Sequence, residues 1–253
     1  MQTSEPQFPM YDLSRFTLRE MTECGRALRV MGTGAGSMEE AANRIVRFLY
    51  DSLRDGRGER GCVLARCFKT HPFGALAPAL QRLAHEALGE ETAAPAMRCL
   101  TLLATAGDQP EWNARSASAG HQVIPLPSER GVARIPMIAQ LIRQLGLEVG
   151  SVLQPDPAVV ADLQQRTFNV FHVPDATGSP YVPAQDDFVI RFGVRSVLGF
   201  GGVLPRGDLF AVILFARVPL PRETAELFKP LALSAKLAIL PFANGPFFDA
   251  DPP

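Results

Sequence analysis

The sequence lacks the features that mark membrane, secreted and nucleic-acid-binding proteins. Its longest apolar run, residues 209–216, has eight residues, whereas a membrane-spanning helix needs about 20. Residues 1–13 are polar and contain prolines, without the charged and then apolar parts of a signal peptide. The formal net charge is −1 and no block of lysine and arginine stands out, so nucleic acid is not an expected partner. We therefore expect a soluble, cytoplasmic protein with no membrane partner.

Cysteine is also scarce. The chain has four cysteines, and none of them forms the CxxC pair that a zinc site or a dense disulfide framework would show. Cys62, Cys67 and His71 are close in sequence, but an odd offset within a strand places the two cysteines on opposite faces. Four strand residues separate Cys67 from His71 by about 13 Å. We therefore expect reduced, buried thiols and no metal site.

Catalytic motifs are missing as well. Residues 199–202, Gly-Phe-Gly-Gly, lie inside a predicted strand and not before a helix that would receive a phosphate. No serine, histidine and aspartate occur in the order and strand-turn-helix setting of a hydrolase elbow. The sequence therefore predicts a protein that is not an enzyme.

Apolar periodicity and capping signals predict seven helices. Ser37 and Glu40 are spaced as in a capping box, which places the start of the second helix. The predicted helices cover residues 17–31, 37–54, 75–88, 132–145, 158–166, 186–192 and 222–240.

Five strands are predicted, at residues 62–69, 97–105, 168–173, 196–204 and 209–218. The last two flank Pro205-Arg206-Gly207-Asp208 and should form a β-hairpin. Residues 209–216 are apolar at every position, so this strand should lie inside the sheet with both faces covered. The expected fold class is α/β (α+β), a three-layer α/β/α sandwich around a central antiparallel sheet.

This order of elements resembles a GAF domain, a widespread small-molecule sensing module of bacterial signalling proteins. The resemblance lies in residues 102–107 (Leu-Leu-Ala-Thr-Ala-Gly), 195–202 (Arg-Ser-Val-Leu-Gly-Phe-Gly-Gly) and 209–214 (Leu-Phe-Ala-Val-Ile-Leu), and in the helix from Glu223. It spans roughly residues 37–240. No cysteine is followed by histidine, as GAF domains that attach a bilin often require. The cyclic-nucleotide signature and the paired cysteines of the GAF-fold methionine sulfoxide reductase are not found either.

The resemblance implies a regulatory domain that binds a small molecule or a cofactor. Its terminal helices would pair in a homodimer and pass the ligand state to an output domain such as a kinase or a cyclase, supplied by another chain or lying downstream. The cofactor is unknown. Two alternatives stay open: a thiol-dependent redox enzyme using Cys67 or Cys99, and a ligand-free dimerisation scaffold.

A ligand cavity is expected between the sheet and residues 132–185. His172 ends an apolar strand and enters a loop rich in proline and glycine, which carries Tyr181. Polar tips on an apolar lining are the usual composition of a small-molecule site, and the imidazole is also a possible axial ligand of haem. The candidate ligand-binding residues are His172, Tyr181, Phe171, Met137 and Cys67.

The predicted domain organisation is a single unit. Residues 1–16 are expected to form a flexible N-terminal segment, residues 17–240 the sensory domain with its terminal helices, and residues 241–253 a C-terminal tail.

Overall fold

A computed structural model describes residues 9–89, 91–118 and 120–249. The helices are α1 (Leu18–Arg29), α2 (Met38–Ser52), α3 (Pro78–Leu88), α4 (Glu129–Ala133), α5 (Pro136–Gln144), α6 (Val149–Leu153), α7 (Pro157–Gln165), α8 (Arg222–Glu226) and α9 (Lys229–Ile239). The strands are β1 (Tyr11–Asp12), β2 (Leu53–Arg54), β3 (Cys62–Pro72), β4 (Arg98–Gly107), β5 (Val123–Leu126), β6 (Phe171–Val173), β7 (Ser196–Val203) and β8 (Leu209–Ala216). Within the described part of the chain, no helix is long and apolar enough to cross a membrane.

Six strands form one antiparallel sheet in the order β5-β4-β3-β8-β7-β6. Strand β8 lies between β3 and β7, and its residues alternate strictly between two cores. Leu209, Ala211, Ile213 and Phe215 point to one side, and Phe210, Val212, Leu214 and Ala216 to the other. The predicted hairpin and the interior position of its second strand are therefore confirmed.

One face of the sheet is covered by α1, α2, α8 and α9, and the other by the short helices between β5 and β7. The first and last long helices lie together, as predicted. The Cα of Gly25 in α1 is so close to α9 that an added Cβ would lie 3.2 Å from Ser234 Oγ. At Gly32, an added Cβ would lie only 1.9 Å from the carbonyl oxygen of Ala238. The three-layer α/β/α sandwich is confirmed.

Several predicted boundaries need correction. The helix predicted at residues 132–145 is two helices, α4 and α5, because Pro136 fits only the first turn of α5. The helix predicted at residues 222–240 is likewise divided, into α8 and α9, with Pro230 in the first turn of α9. Strand β5 was not predicted. It is four residues long and contains Pro125, which an edge strand tolerates.

The folded unit also extends past the predicted domain ends. Tyr11, Leu13 and Phe16 are buried in the main core, so the predicted flexible segment is wrong from Tyr11 onward, and residues 1–8 of it lie outside the described residues. At the other end, the carbonyls of Pro246 and Phe247 accept the N–H groups of Met38 and Glu39 at 3.0 and 2.8 Å. Residues 246–249 therefore cap α2, and residues 250–253 of the predicted tail are not described.

A buried ion-pair network joins the hairpin to the middle of the sheet. Asp208, just before β8, accepts hydrogen bonds from Lys69 Nζ at 2.8 Å and from Arg98 Nη1 at 2.6 Å. Lys69 is 0% exposed, and its burial lowers the pKa of its amine. One carboxylate thus compensates two cations that lie away from water.

We predict that Asp208→Ala lowers the free energy of unfolding by about 3–5 kcal/mol, because it leaves two buried cations without a counter-charge. Urea denaturation measures the change. Glu23→Ala is the matched control, since it removes the acid of an exposed pair with Arg19 and should have little effect. Equal stability of the two variants would contradict the assigned role of Asp208.

Candidate functional site

A cavity of about 500 Å³ lies between the sheet and the elements that cover its second face. Its size is within the usual range of small-molecule sites, about 300–1,000 Å³. The floor is formed by side chains of β3 and β8. The walls come from the loop after β4, from β5 and α5, and from residues 183–188. The lining includes Leu64, Arg66, Phe68, Trp112, Ser118, His121, Ile124, Ile135, Met137, Ile138, Asp187, Phe188, Ile213 and Phe215.

Aromatic contacts fasten the covering segment to the sheet. The ring of Phe188 lies 5.1 Å from that of Phe215 on β8 and 5.6 Å from that of Trp112. Trp112 also contacts Phe192 edge-on at 4.8 Å. Such edge-to-face pairs stabilise beyond the area they bury, by about 0.5–1.5 kcal/mol each. Aromatic contacts therefore attach the covering segment to the sheet.

The backbone of this wall is unusual. Ala184 has a φ of 55° and, among the described residues, is the one residue other than glycine with positive φ. It is followed by a π-helical turn, Gln185–Ile190. A left-handed alanine costs about 1–3 kcal/mol, and π-helical turns occur frequently at functional sites. Both features coincide with the cavity, because Ala184 and Phe188 line it.

Arg66 is the cationic residue of this cavity. It lies in the middle of β3, opposite Thr105 on β4 and Ile213 on β8, and only 7% of it is exposed. Its Nη2 donates to Ser118 Oγ at 2.9 Å. Burial lowers the pKa of the guanidinium to about 10, so it stays charged at neutral pH. Sequence reasoning missed Arg66, although an isolated arginine inside an apolar strand was the available signal.

The structure does not place His172 at this cavity, so that expectation is wrong. Strand β6 pairs with β7, and Phe171 and Val173 point to the cavity side of the sheet. His172, between them, points to the other side, where its Nε2 lies 2.8 Å from the carbonyl oxygen of Leu220. Burial lowers the pKa of this imidazole. His172 has the contacts of a structural side chain.

Of the other four candidate residues, Met137 lines the cavity. Phe171 belongs to the same core but is fully buried behind the lining, against Gly199. Tyr181 packs on that core from the covering loop without lining the cavity. Cys67 lies in the core on the opposite face of the sheet, because it is one residue away from Arg66 and strand side chains alternate. The cavity position expected for these three residues is therefore wrong.

The four thiols are all buried. Burial raises the pKa of Cys24, Cys62, Cys67 and Cys99 to about 12 in each case. A reactive cysteine needs a thiolate at neutral pH and access to its substrate, and neither condition is met. In the described ranges, no three histidine, cysteine, aspartate or glutamate side chains are grouped to hold a metal ion.

A second cleft, of about 560 Å³, lies on the helical side between α1, α9 and residues 165–168. Its basic side chains include Arg26, Arg29 and Arg166, which are exposed to solvent. Exposed charges are already well solvated, so they need no ligand. The cavity at Arg66 is the stronger candidate because its charge is buried.

The chain matches solved structures, but neither a family model nor a curated protein. Among solved structures, the chain is similar to the GAF domain of a phosphoenolpyruvate-protein phosphotransferase from Coxiella burnetii, with 11% sequence identity and a TM-score of 0.42. The similarity covers 88% of this chain and 94% of that chain. By its own strand order and its two helical layers, the chain is an α/β/α sandwich around a central antiparallel sheet.

Proposed function

We propose that this chain is a small-molecule-binding regulatory domain of a bacterial signalling protein, and that it is not an enzyme. The observation that carries the proposal is the cavity of about 500 Å³ between the sheet and the covering segment. Large side chains surround it without filling it, which counts against the ligand-free scaffold. The strained backbone at Ala184 on its wall also supports a binding role. The cytoplasmic location stays a prediction.

The route of the signal would run through the sheet to the terminal helices. Residues on β8 that line the cavity alternate with residues that pack under α9. Movement of this strand on ligand binding would therefore displace side chains that pack against α1 and α9. These helices would act on an output domain such as a kinase or a cyclase.

We predict that the cavity binds N-phenylnaphthylamine, a neutral aromatic probe, with energy transfer from Trp112, the single tryptophan. Replacing Ile124 and Ile135, which line the cavity, by phenylalanine should weaken binding at least about fivefold by occupying the volume, a loss of about 1 kcal/mol. The enhancement of probe fluorescence during titration measures the affinity.

Ile190→Phe is the matched control for this experiment. Ile190 is exposed on the outside of the π-helical turn, so the substitution adds the same apolar area away from the cavity. The control should bind the probe as the unchanged protein does. Equal binding by all variants would place the probe elsewhere and count against the proposed function.

We further predict that α9 mediates a homodimer. Ala232, Ala235 and Ala238 of α9 are buried within the monomer and pack inward. Leu233 and Leu237 are instead 57% and 39% exposed, one helical turn apart.

Sedimentation velocity at micromolar concentration should give a dimer, and the combined Leu233→Glu and Leu237→Glu substitutions a monomer. Val159→Glu, an exposed apolar position on α7, is the control and should leave the dimer intact. A monomeric wild-type protein at high micromolar concentration contradicts the prediction.

The thiol-dependent alternative requires a cysteine that reacts fast in the native protein, whereas the regulatory-domain proposal does not. In the native state at pH 8 we expect no fast reaction of any thiol with a disulfide reagent, because burial raises all four pKa values to about 12. All four should react after unfolding in guanidinium chloride. Ile190→Cys, an exposed position away from α9, is the positive control. Fast reaction of Cys67 or Cys99 would favour a redox enzyme.

A further inference from the structure

The guanidinium of Arg66 is charged, buried and poorly compensated. No carboxylate lies within ion-pair distance of it among the residues that the structure describes. Its Nε has no hydrogen-bond partner there, and Ser118 Oγ is the acceptor of its Nη2. A guanidinium carries five N–H donors, and burying a charge without a partner is unfavourable.

The contrast with Arg98 shows that this arrangement is not general in the molecule. Arg98, on the neighbouring strand β4, is also largely buried, and it forms an ion pair with Asp208 at 2.6 Å. The fold thus supplies a counter-charge to the buried arginine that has a structural role. At Arg66 it supplies a neutral hydroxyl and an open cavity.

A second unpartnered polar group lies next to Arg66. The hydroxyl of Thr105 is buried and has no hydrogen-bond partner among the described residues. Thr105 is directly opposite Arg66 in the register of β3 and β4. Side chains at opposed positions of paired strands are neighbours on one face. Two groups that can donate hydrogen bonds are therefore placed together on the cavity side.

The rest of the lining limits the charge of the ligand and favours an apolar body. Phe68, Phe188 and Phe215 supply aromatic walls. Glu111 and Asp187 are also on the lining, and among its described residues Arg66 is the one lysine or arginine. A polyphosphate would meet two carboxylates and a single cation. An anion with one charged group and an apolar body matches this surface.

We infer that the cavity binds an organic monoanion, such as an aromatic or branched carboxylate, with its charged group on the guanidinium of Arg66 and its apolar part against the aromatic wall. This inference rests on the proposed function and specifies the class of its ligand. The planar fork of arginine is suited to bidentate recognition of a carboxylate.

The experiment compares two probes of similar shape and different charge. Anilinonaphthalene sulfonate carries one negative charge, and N-phenylnaphthylamine is its neutral counterpart. Energy transfer from Trp112, which lines the cavity, reports probe bound near it. Arg66→Met removes the charge and keeps an apolar side chain, and Arg66→Lys keeps the charge without the fork.

We expect Arg66→Met to weaken binding of the anionic probe at least about tenfold, because hydrogen bonds to charged groups are among the strong ones. Binding of the neutral probe should stay within about twofold of wild type, an affinity change of less than about 0.5 kcal/mol. Arg66→Lys should retain part of the affinity for the anion. If Arg66→Met binds both probes as wild type does, the inference is overturned and the proposed function stands. If wild type binds neither probe, the proposed function fails and the inference fails with it.

A stability measurement separates a binding role of Arg66 from a structural one. Burying a charge without a counter-charge is unfavourable, so unliganded Arg66→Met should melt at or above the wild-type temperature. Asp208→Ala is the destabilising control and should melt well below it, because it leaves Lys69 and Arg98 without their shared counter-charge. A loss of stability in Arg66→Met as large as in the control would overturn the inference.

Discussion

Strand β8 is apolar at all eight positions and buried at each of them, so the sheet must be covered on both sides. Each fully buried valine, leucine, isoleucine or phenylalanine contributes about 1.5–3 kcal/mol of burial free energy. If either face of this strand were exposed, the burial free energy of several of these side chains would be lost. The antiparallel neighbours β3 and β7 satisfy its backbone groups. Helices with an apolar face must therefore pack on both sides of the sheet, and they form its two helical layers.

The two layers are built differently, and this difference explains where the cavity lies. On one side, α1, α2 and α9 are long enough to pack continuously, and small residues such as Gly25 and Ala235 allow close approach. On the other side, the covering elements between β5 and β7 are short helices and loops. Short elements cannot match every contour of the strands beneath them. Space is left above β3 and β8, and Phe188 fixes the cover on Phe215 at the edge of that space.

The sequence was informative where local chemistry decides the structure, and uninformative where long-range pairing does. The turn at residues 205–208 and the apolar run after it predicted the hairpin correctly, because both signals are local. The side to which His172 points depends on its register with Leu198 on β7, and a shift of one residue reverses it. The same one-residue alternation puts Cys67 and Arg66 on opposite faces. Of the candidate residues chosen by type, Met137 lines the cavity, whereas His172 and Cys67 point to the other face of the sheet. The fold class was correct.

The same alternation gives the cavity a mechanical connection to the helical layer. Ile213 and Phe215 line the cavity, and Leu214 between them lies in the core under the terminal helices. On β3, Arg66 lines the cavity and Ala65 and Cys67 lie in the opposite core. Close-packed cores transmit small displacements because they have few voids to absorb them. A ligand that moves β3 relative to β8 must therefore repack the side on which α1 and α9 lie.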